Sequence, residues 1–166
     1  MTEYYKEKFE AGLEYQDWLC DFLLKHYGIF LGQYSSRKYQ QKKGETQAGY
    51  EIKHDMQMET TRNVFIEISE KSNDNIKNWT PSGIYREDNC WIYVIGNYKE
   101  ILIFSKSQLQ KVVESENLLK SHGMKYKEIK MGTSKGYTLP IQKAIDTGLC
   151  LKYIKVKEGE KDARIS

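Results

Sequence analysis

The spacing of apolar positions changes along the chain. Between residues 8 and 27, Phe9, Leu13, Leu19, Phe22 and Leu23 recur at near-helical intervals, with Tyr15 and Trp18 at the margin. This predicts an amphipathic helix, and Gly28 directly after it is a suitable stop. Residues 29–34 read as a short apolar strand. Two stretches then alternate with a period of two. Residues 50–55 put Glu51, Lys53 and Asp55 on one face. Residues 64–69 put Val64, Ile66 and Ile68 on one face and Phe65, Glu67 and Ser69 on the other, which Lys71 continues. The polar segment 56–62 between them predicts a hairpin.

Residues 72–89, rich in Asn, Asp and Ser and containing Thr80-Pro81, read as a long loop. Strands are expected over 90–95 and 101–104, around the turn Gly96-Asn97-Tyr98-Lys99. A helix should begin near Ser105 or Ser107, with the serine as N-cap, and carry Leu109, Val112 and Val113. Then come an edge strand over 125–131, a glycine-containing loop over 132–140, a short helix over 141–147 stopped by Gly148, and a last strand over 149–156. Residues 1–157 make one domain, and 158–166 form a polar tail expected to fray. The order predicts an α/β or α+β fold, a mixed central sheet flanked by helices.

Composition narrows the class. A chain of 166 residues, 39% hydrophobic and 30% charged, has the make-up of a globular domain with a sizeable core. Thirteen tyrosines argue against disorder. A net charge of +3 and a pI of about 8.6 permit a nucleic-acid partner without demanding one. Arg37, Lys38, Lys42 and Lys43 cluster without an intervening acid, as either a solvated face or a phosphate-contacting patch. Cys20, Cys90 and Cys150 show no zinc spacing and read as free thiols of a reducing compartment. The polar N-terminus and the lack of a long apolar run predict a cytoplasmic protein with no signal peptide or membrane span.

The two alternating strands carry the candidate chemistry. If Glu51 sits opposite Glu67, then Glu51, Lys53, Asp55, Glu67, Ser69 and Lys71 share one face. Directly opposed carboxylates, with Cβ atoms about 5 Å apart, repel unless a cation lies between them. A hard ion such as Mg²⁺ takes oxygen ligands and needs only one or two carboxylates. It polarises a phosphoryl oxygen and stabilises a leaving oxygen, while a neighbouring lysine orients the attacking water. The same alternation also describes the solvated, ion-paired face of a half-buried sheet.

The stretches GYEIKHD and TRNVFIEISEK resemble the core of the PD-(D/E)XK nuclease superfamily, which includes restriction enzymes and phage or repair nucleases. The resemblance spans roughly residues 8–105. It implies a restriction-endonuclease-like core and a Mg²⁺- or Mn²⁺-dependent endonuclease or exonuclease acting on DNA in preference to RNA. A homodimer is compatible with it. Two mappings are open. In the preferred one Glu51 is the lone acid and Glu67 opens the second motif. Ser69 then occupies the lysine position, and Lys71 or Lys53 takes over. In the other, Glu51-Ile52-Lys53 is the Glu-x-Lys motif, with Glu45 as its partner acid. Both mappings use Glu51; the resemblance implies Glu51 and Glu67 as metal ligands, with Asp55 either a further ligand or a strand-end residue, and Glu14 on the first helix matches the superfamily's accessory acid. Arg37, Lys38, Lys42 and Lys43 would hold the nucleic-acid backbone. A non-catalytic nucleic-acid- or protein-binding module on the same scaffold is the alternative.

Gly83-Ile84-Tyr85 and Tyr93-Val94-Ile95-Gly96 are similar to the GIY-YIG nuclease signature. The second element has one residue too many, and no arginine follows between residues 87 and 163. A buried core strand is the simpler reading. Histidines 26, 54 and 122 are scattered, and no P-loop, dinucleotide fingerprint or nucleophile elbow is present.

Overall fold

The computed structural model describes residues 3–33, 46–129 and 133–161. The chain runs α1 (Glu3–Tyr27), β1 (Tyr50–His54), α2 (Met58–Thr61), β2 (Asn63–Glu70), β3 (Thr80–Pro81), a 3₁₀ turn (Gly83–Tyr85), β4 (Ile92–Gly96), β5 (Glu100–Ser105), α3 (Lys106–Val113), α4 (Glu116–Ser121), β6 (Lys125–Glu128), β7 (Ser134–Pro140), α5 (Ile141–Asp146), β8 (Cys150–Lys155) and a 3₁₀ turn (Glu158–Glu160). The α+β class is borne out.

The described residues form two four-stranded sheets. The first, ordered β1-β4-β5-β8, is mixed, because β1 runs parallel to β4. The second, ordered β3-β2-β7-β6, is antiparallel throughout. The first sheet forms the middle layer. Ile92, Val94, Ile101 and Ile103 pack with Tyr15, Leu19, Phe22 and Leu23 of α1. On the opposite face Tyr93, Ile95, Leu102 and Phe104 pack with Val64 and Ile66 of β2 and Leu139 of β7. Because both faces are covered, β4 and β5 read as continuous apolar runs rather than alternating ones.

The expected hairpin does not form. Glu51 pairs with Tyr93 and Lys53 with Ile95, while Glu67 lies opposite Gly136 and Phe65 opposite Thr138. The 56–62 segment is built around α2 instead of a tight turn. Asp55 starts it: Oδ1 accepts the backbone N–H groups of Gln57 (2.9 Å) and Met58 (3.1 Å). Arg62 then turns the chain at φ 55°. β1 and β2 are thus linked by side chains across the sheet boundary, as when the Phe65 N–H donates to Asp55 Oδ2 at 3.2 Å.

Other boundaries also shift. Residues 29–33 contain only a bridge, Gln33 to Thr46, in place of a strand. Residues 134–140, expected as loop, form the central strand β7, whose Leu139 is fully buried. Tyr15, expected at the helix margin, is core, whereas Phe9 and Leu13 are exposed. A 25-residue helix is about 37 Å long, roughly twice the span of a six-residue strand, so its first turns overhang the sheet. The start of the tail is tied down, with Trp18 Nε1 donating to the Lys161 carbonyl at 2.9 Å. Among the described residues no helix is long and apolar enough to cross a membrane. None of the three cysteines is in a disulfide; Cys90 is buried and the other two are half-buried.

Candidate active site

The edges of β1 and β2 meet around one ammonium group. Lys53 Nζ lies 3.2 Å from Glu51 Oε1 and 3.7 Å from Glu67 Oε1. The two acids converge even though their strands share no ladder. Ile52 points to α1 and is buried there, which sends its neighbours Glu51 and Lys53 to the face shared with the second sheet. Glu51 is fully buried, while Lys53 keeps 30% of its side chain in solvent.

Glu67 is held from both sides. Ser82 Oγ donates to its Oε1 at 2.6 Å and Ser134 Oγ to its Oε2 at 2.8 Å. Ser82 arrives there because Gly83 follows at φ +54°, and a Cβ on Gly83 would sit 2.2 Å from the Glu67 carbonyl oxygen. Only glycine permits so close a passage. A β-bulge between Glu67 and Ser69 re-aims the end of β2 at the same place.

Behind Glu51 lies a second, more buried ion pair. Lys106, the first residue of α3, places Nζ 3.2 Å from Glu51 Oε2 and 3.1 Å from Asp88 Oδ1. It also donates to the Arg86 carbonyl at 3.2 Å. Asp88 accepts the Cys90 N–H at 2.8 Å and has the Arg86 Nε at 3.6 Å. Three carboxylates (Glu51, Glu67, Asp88) therefore meet three cations (Lys53, Lys106, Arg86). Tyr93 is buried alongside, and that burial pushes its hydroxyl far above the usual phenol range, so it stays protonated.

The remaining predicted residues lie elsewhere. Asp55 is occupied as the helix-starting acceptor. Lys71 Nζ rests 4.9 Å from the Trp79 ring centroid and donates to the Asp74 carbonyl, so of the two candidate lysines it is Lys53 that lies at Glu51 and Glu67. Ser69 pairs with Lys135 and Pro81. Glu14 is exposed on α1, the layer on the far side of the first sheet. Glu45, Arg37, Lys38, Lys42 and Lys43 lie outside the described residues. Lys106, Asp88 and Ser82 carry no signal for this site in the sequence, and Ser134 falls in the segment expected as a glycine-containing loop. Each approaches through a non-local contact, and Ser105-Lys106 gave only a capping signal.

Glu51 is the test of whether a divalent ion suits this place. Among the described residues, both of its oxygens are buried without a hydrogen-bond partner, each 3.2 Å from an ammonium group, Lys53 on one side and Lys106 on the other. Among the described residues no group of three or more His, Cys, Asp or Glu is arranged to hold a metal. Mg²⁺ needs only one or two carboxylates and water, and Glu51 and Glu67 are the hard oxygen donors at this place, with Lys53 Nζ between them. No family model, curated protein or solved structure matches the chain.

Proposed function

We propose that Glu51, Lys53 and Glu67 are the centre of a Mg²⁺- or Mn²⁺-dependent phosphodiesterase acting on nucleic acid, DNA ahead of RNA. The observation that carries this reading is one partly exposed ammonium shared by two acids from different strands. Glu51 and Glu67 would hold the ion, which supplies a Lewis acid for the phosphoryl group. Lys53, able to reach solvent, orients the attacking water and offsets charge on the phosphate. The Ser82 and Ser134 hydroxyls fix the Glu67 carboxylate, and the apolar wall around Tyr93 keeps bulk water from the rear. The Glu-x-Lys triplet at positions 51–53 resembles the second motif of the PD-(D/E)XK pattern, but Glu67, which lies beside it, follows it in the chain and belongs to a strand of the other sheet.

A second reading, a non-catalytic binding module, draws support from the matched charges and from Ser69 at a motif lysine position. Cleavage of single-stranded, duplex and branched DNA with Mg²⁺ or Mn²⁺ separates the two. Wild type should cut at least one substrate, and Lys53→Ala and Glu67→Gln should each lose on the order of a hundredfold in rate. Absence of cleavage together with no Mn²⁺-induced rise in melting temperature would favour the binding module.

A further inference from the structure

The three tryptophans have different surroundings. Trp18 is half-buried in an aromatic cluster, its ring 5.6 Å from Tyr15 and 5.0 Å from Phe22. Trp79 is covered by lysines, with Lys135 Nζ 3.9 Å and Lys71 Nζ 4.9 Å from its ring centroid. Trp91 is 62% exposed. So much indole in water adds little to folding through burial.

Trp91 is nevertheless held in place. Its Nε1 donates to the Ala48 carbonyl at 3.2 Å, and its ring meets Tyr50 edge-on at 6.4 Å. The backbone beneath is shaped to receive it. Gly49 has φ +79°, and a Cβ there would fall 2.4 Å from Trp91 Cδ1. The Trp91 N–H donates to the Gly49 carbonyl at 2.9 Å. An exposed aromatic of low residual freedom is a binding surface prepared in advance.

Its position adjoins the candidate site. The Trp91 carbonyl accepts the N–H of Lys106, whose ammonium contacts Glu51. Gly49, under the indole, lies two residues before Glu51, and Trp91 two residues before Tyr93, the strand partner of Glu51.

We infer that Trp91 is a stacking platform for an unpaired nucleobase beside the Glu51–Lys53–Glu67 cluster, so that the preferred substrate carries single-stranded nucleotides there. The choice of a nucleobase rests on the nucleic-acid reading of that cluster. A flat, rigid indole accepts any base through its π-face, which gives affinity without sequence preference. A base inside a duplex is already stacked and cannot use it.

Binding of a fluorescein-labelled 12-nucleotide oligo(dT) and of a duplex of equal length, both followed by anisotropy in EDTA, tests this without cleavage. Trp91→Ala should weaken oligo(dT) binding about tenfold, within the range of one base–aromatic stack, and leave duplex binding within about twofold. Trp91→Phe, which keeps a ring over Gly49, should retain most of the affinity but lose the oligo(dT)-induced quenching of indole emission. Equal binding by wild type and Trp91→Ala, equal losses on both substrates, or no oligo(dT) binding by wild type would each overturn the platform. Wild type that binds oligo(dT) through Trp91 yet never cleaves would retire the phosphodiesterase and leave the platform standing.

Discussion

Lys106 Nζ sits 3.2 Å from Glu51 Oε2, with Lys106 95% and Glu51 fully removed from solvent. Such a pair contributes little net stability when intact, because desolvating both charges offsets their attraction, yet losing one partner strands the other. Lys106→Met should therefore destabilise the fold by about 3–5 kcal/mol in urea titration. The double variant Lys106→Met/Glu51→Gln should lose less than the two single losses added together. Additive losses would show that the two groups are not coupled.

Glu67 offers the cleaner separation of activity from stability. In Glu67→Gln the side-chain carbonyl can still accept from one serine, so the unfolding free energy should fall only slightly, by about 1 kcal/mol or less. Cleavage should nonetheless fall by on the order of a hundredfold. A variant with both wild-type stability and wild-type cleavage would remove Glu67 from the site.

Gly83 is the hinge of that arrangement. Gly83→Ala sets a Cβ against the Glu67 backbone at a positive φ, with 2.7 Å to the carbonyl carbon. A loss of about 2 kcal/mol or more is expected. Gly148, also at positive φ but with nothing within 4 Å of a Cβ, should tolerate alanine better, at about 1 kcal/mol. Equal losses at the two positions would argue against the close packing of Ser82 onto Glu67.

Acid stability should depend on Glu100. Burial acts to raise the pKa of its carboxyl, but hydrogen bonds from Arg62 and Tyr153 outweigh this and bring it below the usual 4.5. Arg62 Nη2 donates to Oε2 at 3.2 Å and the Tyr153 hydroxyl to the same oxygen at 2.8 Å. A folded-state value below the unfolded one means that the unfolded chain binds more protons in this range. The contribution is thus complete above about pH 4.5 and disappears as pH falls through the lower, folded value. The stability gap between wild type and Glu100→Gln should accordingly be wide at pH 7 and narrow in strong acid. A constant gap would mean that Glu100 is not ionised in the fold.

His54 works in the opposite part of the scale. Partial burial against Tyr15, whose ring stacks at 4.4 Å, lowers its pKa below 6.5 despite the nearby Asp55. The unfolded chain again binds the extra proton, so stability is full above about pH 6.5 and declines below it. His54→Gln should flatten the decline between pH 7 and 5 in thermal melts. An unchanged slope would assign it to other groups.

Local physics made much of this chain legible. Gly28 accepts a left-handed φ, so the end of α1 was readable, and Ser105 caps α3 with its own side chain. The alternation around Ile52 and Ile66 marked which residues lie off the apolar face of each strand, and so brought Glu51, Lys53 and Glu67 forward as candidates. Pairing partners were not legible. A period of two says which face a residue takes but not which strand lies beside it. β1 therefore looked like half of a hairpin with β2, although it pairs in parallel with β4, some forty residues on. β7 looked like loop because Gly136 interrupts it and Pro140 ends it, leaving Tyr137 and Leu139 too few to show an alternation. Lys106, Asp88, Ser82 and Ser134 lie far from Glu51 and Glu67 in sequence. Only the closing of the two sheets brought them to those carboxylates, because a buried charge finds its partners in space rather than along the chain.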